Sequence, residues 1–311
     1  MPLKLLEKLV IRFVYCIMCI TLLSCNTNYQ GDYRDIKIFY NTPVWELIKA
    51  IDKDDLSKVE SFCKEHPDLI NFQDSIFGIT PLIRAVGTNK YNSTKILLEN
   101  GANPNIPTKE LGTSIFIACW YNWNNYNELL SGDYLTLLLK YNANPNIELS
   151  YLEKKDIINI TEPETTPLMF VASYALGASK LQILLENGAD INHINSNGQN
   201  AATKALLYGN LFEAHYLICT NKSQVPISFY TRKVGESYFS ENKNIKDTSR
   251  LLLLMLYDLN SREYRLKMEI VKELKKQGID YDEAKKNIPD RIIKTIQQRY
   301  PNTWQEYIEK Y

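Results

Sequence analysis

The chain of 311 residues is poor in the groups that most often do chemistry. Its three histidines, His66, His193 and His215, stand in no metal-ligand spacing such as His-Glu-x-x-His. There is no glycine-rich phosphate loop, no Gly-x-Ser-x-Gly turn, and no cysteine with a histidine partner in its sequence context. No catalytic residue, metal ligand or cofactor site is therefore expected. Lysine plus arginine equals aspartate plus glutamate at 36 each, which leaves no basic surplus to draw in nucleic acid. No apolar run reaches the roughly 20 residues needed to cross a bilayer as a helix. The six cysteines are too scattered to form a disulfide framework. Cys16 and Cys19 have the spacing of a redox pair but lie inside an apolar run, which discounts that role.

That run is informative in itself. Lys4, Lys8 and Arg12 precede apolar residues Phe13 to Leu23, the pattern of a secretory signal. Leu22-Leu23-Ser24-Cys25 at its end resembles the lipobox of bacterial lipoproteins. The resemblance implies cleavage before Cys25 and acylation of Cys25, with palmitate-type chains anchoring the protein in a membrane. Each buried methylene contributes about 0.8 kcal/mol, and more than one chain gives stable attachment. Residues 1–24 then form the signal peptide, and 25–40 a lipidated cysteine with a flexible tether. Loss of 1–24 removes three cations and one anion and leaves a charge of −2. The expected location is the bacterial cell envelope, facing the periplasm because Asn26-Thr27-Asn28 carries no acidic cluster.

From Thr80 onward one phrase keeps returning. It reads Thr80-Pro81-Leu82, Thr113-Ser114-Ile115, Thr166-Pro167-Leu168 and, more loosely, Asn200-Ala201-Ala202. Each copy leads into two apolar helical stretches closed by Asn100-Gly101-Ala102-Asn103, Tyr141-Asn142-Ala143-Asn144 or Asn187-Gly188-Ala189-Asp190. The starts are 33, 53 and 34 residues apart. A period near 33 marks stacked helix-turn-helix units, and these residues resemble the ankyrin repeat family. The resemblance implies an all-α fold, an ankyrin repeat solenoid of about six repeats over residues 41–280, with an extra C-terminal helical cap at 281–311. The first helix pair is expected from Pro43, and the last from Ser249–Leu259 and Arg262–Lys276. The 53-residue spacing places about eight extra residues between Trp120 and Asp133 and about twelve between Ile147 and Glu164.

What the resemblance implies about function is protein binding. Family positions that point from the first helix into the concave groove correspond to Gly87 and Thr88, Trp120 and Tyr121, Ser173 and Tyr174, Leu207 and Tyr208. Tyrosine recurs at one register in three successive repeats, which suits interface anchors, although such rings also pack sideways between adjacent helices. Finger positions add Ile76, Phe77 and Ile79, then Ser196, Asn197 and Gln199. The enlarged finger adds Tyr151, Lys154 and Lys155. The expected partner is a protein in the cell envelope, met by a monomer, with a toxin-neutralising immunity protein as the narrower reading. The alternative is an unrecognised envelope hydrolase with its site in the 221–246 connection or the C-terminal tail.

Overall fold

The computed structural model describes residues 32–149, 164–231 and 244–311. They form two compact units: residues up to Asn144 with Glu148–Thr165, and Pro145–Ile147 with Thr166–Tyr311. In the first unit three helix pairs follow one another: α1 (Trp45–Lys53) with α2 (Leu56–Glu65), α3 (Pro81–Gly87) with α4 (Tyr91–Glu99), and α5 (Ser114–Cys119) with α6 (Gly132–Lys140). The second unit continues with α7 (Pro167–Tyr174) and α8 (Ala178–Glu186), then α9 (Ala201–Leu207) and α10 (Leu211–His215), which a π-helical turn extends over Tyr216–Thr220. A 3-10 helix at Thr248–Leu254 precedes α11 (Arg262–Lys276), which packs on α10, and α12 (Tyr281–Lys285), α13 (Asp290–Arg299) and α14 (Trp304–Lys310) complete the chain.

The repeated phrase has a local cause at each end. The hydroxyls of Thr80 and Thr166 accept the amides of Ile83 and Met169 at 3.2 and 3.3 Å, and Pro81 and Pro167 start their helices without wasting a donor. Leu82, Ile115 and Leu168 are buried as the repeat requires. At the other end, Gly101, Asn142, Gly188 and Gly278 take positive φ. The next amide in each case, from Ala102, Ala143, Ala189 and Ile279, donates back to the carbonyl five residues earlier at 2.9 to 3.0 Å. Asparagine then ties one repeat to the next. Within the first unit Asn71 donates to the Gly101 carbonyl and accepts the Asn103 amide, and Asn105 does the same with Asn142 and Asn144. Within the second, Asn146 grips Gly188 and Asp190 in the same way.

Two expectations need correction. Residues 32–40 are not a loose tether: Ile36–Phe39 form a 3-10 turn with Ile38 and Phe39 buried, because two apolar side chains at that spacing find the open flank of α1. Residues 249–259 are not an α-helix. Thr248–Leu254 wind as a 3-10 helix, with the Met255 amide donating to the Leu252 carbonyl at 3.2 Å, and the single hydrogen of the Tyr311 hydroxyl goes to the Leu253 carbonyl at 2.6 Å. The insertion after Trp120 folds as a β-hairpin, β1 (Tyr121–Asn122) with β2 (Asn125–Leu129). It stands where the other first helices turn tightly through the left-handed residues Asp54, Asn89, Ala175 or Gly209. The described part of the long connection also forms a hairpin, β3 (Ser228–Thr231) with β4 (Asn244–Asp247), whose Phe229 is buried.

Candidate functional site

In the first unit the expected groove positions are covered by the chain itself. Gly87, at the end of α3, lies against the ring of Trp123 so closely that a Cβ there would sit 2.4 Å from it. The Trp123 amide donates to the Gly87 carbonyl at 2.7 Å, and Asn124 reaches the Thr88 carbonyl at 3.4 Å. Trp123 is 5% exposed, and Tyr33 meets its ring edge-on at 5.1 Å and that of Phe77 at 6.4 Å. The guanidinium of Arg34 lies 4.9 Å from the Tyr126 ring, while Arg84, buried, holds the Arg34 carbonyl and grips Asp52 with two bonds of 2.7 and 2.9 Å. Hairpin, N-terminal segment and first helices therefore lock together around Gly87 and Thr88, both buried.

Trp120 and Tyr121 consequently differ from the expectation. Neither lies on a first helix: α5 ends at Cys119, Trp120 is extended, and Tyr121 belongs to β1. Their rings meet edge-on at 5.3 Å and both are half-buried.

The second unit keeps the register. Ser173 and Tyr174 end α7, Leu207 ends α9 with Tyr208 directly after it as the cap, and the two helices pack side by side. Asn210 joins them by donating to the Ala172 and Ser173 carbonyls, each at 2.8 Å. Tyr174 is half-buried with Phe170 at 4.9 Å, whereas Tyr208 is 46% exposed with the Lys204 amine 6.0 Å from its ring. Ser173 and Leu207 are half-buried. Phe212, four residues beyond Tyr208, is 48% exposed and carries Arg262 at 5.4 Å from its ring. Sequence reasoning missed Phe212 because its position lies outside the family register; it missed Trp123 too, although a glycine at a groove position beside a Trp-bearing insertion was the available signal.

The fingers share one design. Asp74 accepts the amides of Ile76 and Phe77 at 2.8 Å and that of Ile79, and Asn195 accepts those of Asn197 and Gln199 at 3.1 and 3.0 Å. Such side-chain turns leave Ile76 and Phe77 half-buried and Ser196 exposed. They turn Ile79, Asn197 and Gln199 inward, and these three are buried, so they shape the fingers and offer no surface of their own. Strand β3 covers the second finger: the Tyr230 amide donates to the Asn197 carbonyl at 2.7 Å, and Gln199 to the Tyr230 carbonyl at 2.9 Å. The enlarged finger is closed at its base by Leu149 pairing with Glu164 and Thr165. Tyr151, Lys154 and Lys155 lie outside the described residues, as do Cys25 and residues 1–24.

Polar chemistry elsewhere is ordinary. His66 packs on Phe62 at 4.8 Å and His215 pairs with Glu269 at 2.5 Å. Cys63 and Cys219 are free thiols, and burial pushes both up to about 11, while Cys119 is buried on α5. In the tail, a hollow of about 200 Å3 lined by Leu259, Tyr300, Thr303, Glu306 and Tyr307 holds one carboxylate, Glu306, which is paired with Lys310. Among the described residues no helix is long and apolar enough to cross a membrane.

The ankyrin repeat family model matches residues 77–109, which span one finger, α3, α4 and the turn that follows. A search of curated proteins finds no match. The match supports the likeness drawn from the repeated phrase, and ankyrin repeats typically serve as non-enzymatic scaffolds for protein–protein interaction.

Proposed function

We propose that the chain is a protein-binding module held at the bacterial cell envelope through acylated Cys25, and that it captures its partner with the first-helix face of the second unit. The observation that carries this is the pairing of exposed Tyr208 with half-buried Tyr174 at equivalent ends of adjacent helices, with exposed Phe212 near the start of the second helix that follows. Large, stiff aromatic side chains at a polar surface concentrate binding energy at little entropic cost. The filled groove of the first unit directs the choice to the second, where the register survives. Within this reading the partner is an antagonistic toxin or an envelope enzyme, and binding neutralises or holds it. The enlarged finger at Tyr151, Lys154 and Lys155 is proposed as an additional contact.

A pull-down from envelope extract tests this, with the parent compared against Tyr174→Ala/Tyr208→Ala/Phe212→Ala. The triple variant is expected to lose at least tenfold in partner recovery while keeping its helical circular dichroism. Equal recovery by both proteins would remove the aromatic face from consideration. The anchor is tested separately: Cys25→Ala is expected to move the protein from the membrane to the soluble fraction, and continued membrane attachment would refute acylation there.

A further inference from the structure

Lys267, on α11, is fully buried, at 0% exposure. Among the described residues no carboxylate meets its amine. The Nζ atom is 2.9 Å from the Tyr281 hydroxyl and 3.3 Å from the Met255 carbonyl, and it lies 3.4 Å from the centroid of the Tyr311 ring and 4.9 Å from that of Tyr281. An ammonium has three hydrogens to place and no lone pair, and only two oxygens are in reach. The Tyr311 ring face can take the third hydrogen, but with no anion enclosed beside it the charge of an ammonium stands uncompensated in the interior, which favours a neutral amine donating to the carbonyl and pairing with the phenol.

The groups that seal Lys267 come from the last three helices and the turn before α11. Tyr281 opens α12. Tyr311 follows α14, with its hydroxyl 2.6 Å from the Leu253 carbonyl. Tyr307 stacks on Tyr311 at 5.3 Å and on Tyr300 at 4.3 Å, and donates to the Tyr257 carbonyl at 2.6 Å. Helices α12 to α14 thus form a strap across a lysine that would reach water as soon as the strap lifted.

We propose that this strap is proton-sensitive: it closes over Lys267 as a neutral amine, and lifting it lets the lysine take up a proton. Burial pushes the enclosed amine down to about 6, and the positive charge of Lys285 works in the same direction; the two ring faces favour the ammonium and oppose both effects. The other groups around the amine are the phenols of Tyr264, Tyr281, Tyr307 and Tyr311, all raised chiefly by burial, so none of them ionises in the neutral range. A lysine in water titrates near 10.4. Between about pH 6 and 10 the open form therefore binds one proton more than the closed form, and the opening equilibrium grows about tenfold for each unit the pH falls, levelling off below 6.

Hydrogen exchange of the full chain at pH 6, 7 and 8, corrected for intrinsic exchange rates, reads this directly. Protection of amides in 281–311 is expected to drop about tenfold from pH 8 to pH 7 and about fivefold from pH 7 to pH 6, relative to those of α3 and α4, and Lys267→Met is expected to lose that slope. A flat profile in the parent, or the same slope in the variant, would overturn the proposal. Should the variant not fold, the 15N resonance of the Lys267 amine in the parent decides: a neutral amine at pH 8 supports the strap, and an ammonium persisting to pH 9 refutes it.

Discussion

The hydroxyl of Thr80 accepts the amide of Ile83 at 3.2 Å, whereas Thr113, one repeat later, buries its hydroxyl with no partner. Identical residues at the same place in the phrase therefore contribute differently. Thr80→Ala is expected to cost about 1 kcal/mol, the value of a lost helix cap. Thr113→Val keeps the shape and removes an unsatisfied polar group, so it is expected to be neutral or stabilising by up to about 1 kcal/mol. Urea unfolding of the two variants checks both, and an equal loss would show that Thr113 caps after all. The thiols follow from burial in the same way: with Cys63 and Cys219 held near 11, native protein at pH 8 is expected to react slowly with alkylating reagents, and fully once unfolded. The phrase was legible because capping is local, a matter of residues three positions apart. What Thr113 lacks depends on how α5 begins, and no neighbour in the sequence reports that.

At the scale of elements, helix pairs and their ends could be read in advance wherever a glycine or asparagine closes the second helix, as at Gly101, Asn142, Gly188 and Gly278. The Arg262–Lys276 helix was read correctly because Ser261 caps it and Ile270, Val271 and Leu274 recur on one buried face. The 3-10 stretch at Thr248–Leu254 was not, since the hydroxyl that bonds its Leu253 carbonyl comes from Tyr311, far along the chain. The hairpin after Trp120 was legible as extra length but not as a cover, because the face it meets is chosen by Gly87 in the preceding repeat. Gly87→Ala tests that cover with a sign. In an open groove, alanine at a helix end would stabilise by up to about 1 kcal/mol. Against the Trp123 ring at 2.4 Å it must destabilise by about 1 to 3 kcal/mol, as overpacking does, and should red-shift tryptophan emission as Trp123 is expelled. A stabilised variant with unchanged emission would mean that the groove is open.

For the whole molecule, the packed body starts earlier than composition suggests. Asn26 to Tyr40 reads as spacer because it is polar and lacks helical periodicity, yet the contacts of Tyr33 and Arg34 are long-range and leave no local pattern, and Ile38 and Phe39 are buried beside α1. Seven peptide steps separate Cys25 from Asp32, a reach of at most about 25 Å even fully extended. If Cys25 is acylated, Asp32, where the described body begins, therefore stays within that distance of the bilayer surface. Limited trypsin digestion distinguishes this from a long tether. Arg34 lies under Arg84 and Tyr126, and Lys37 sits within the 3-10 turn whose neighbours Ile38 and Phe39 are buried, so neither peptide bond can adopt the extended form a protease needs without lifting the segment. Native protein is expected to resist cleavage after both residues, and to be cut there once Asp52→Ala removes the carboxylate that pairs with buried Arg84, a loss of about 3 kcal/mol. Rapid cleavage after Arg34 or Lys37 in the parent would show that the tether extends to Tyr40 and that the body is free to stand further from the membrane.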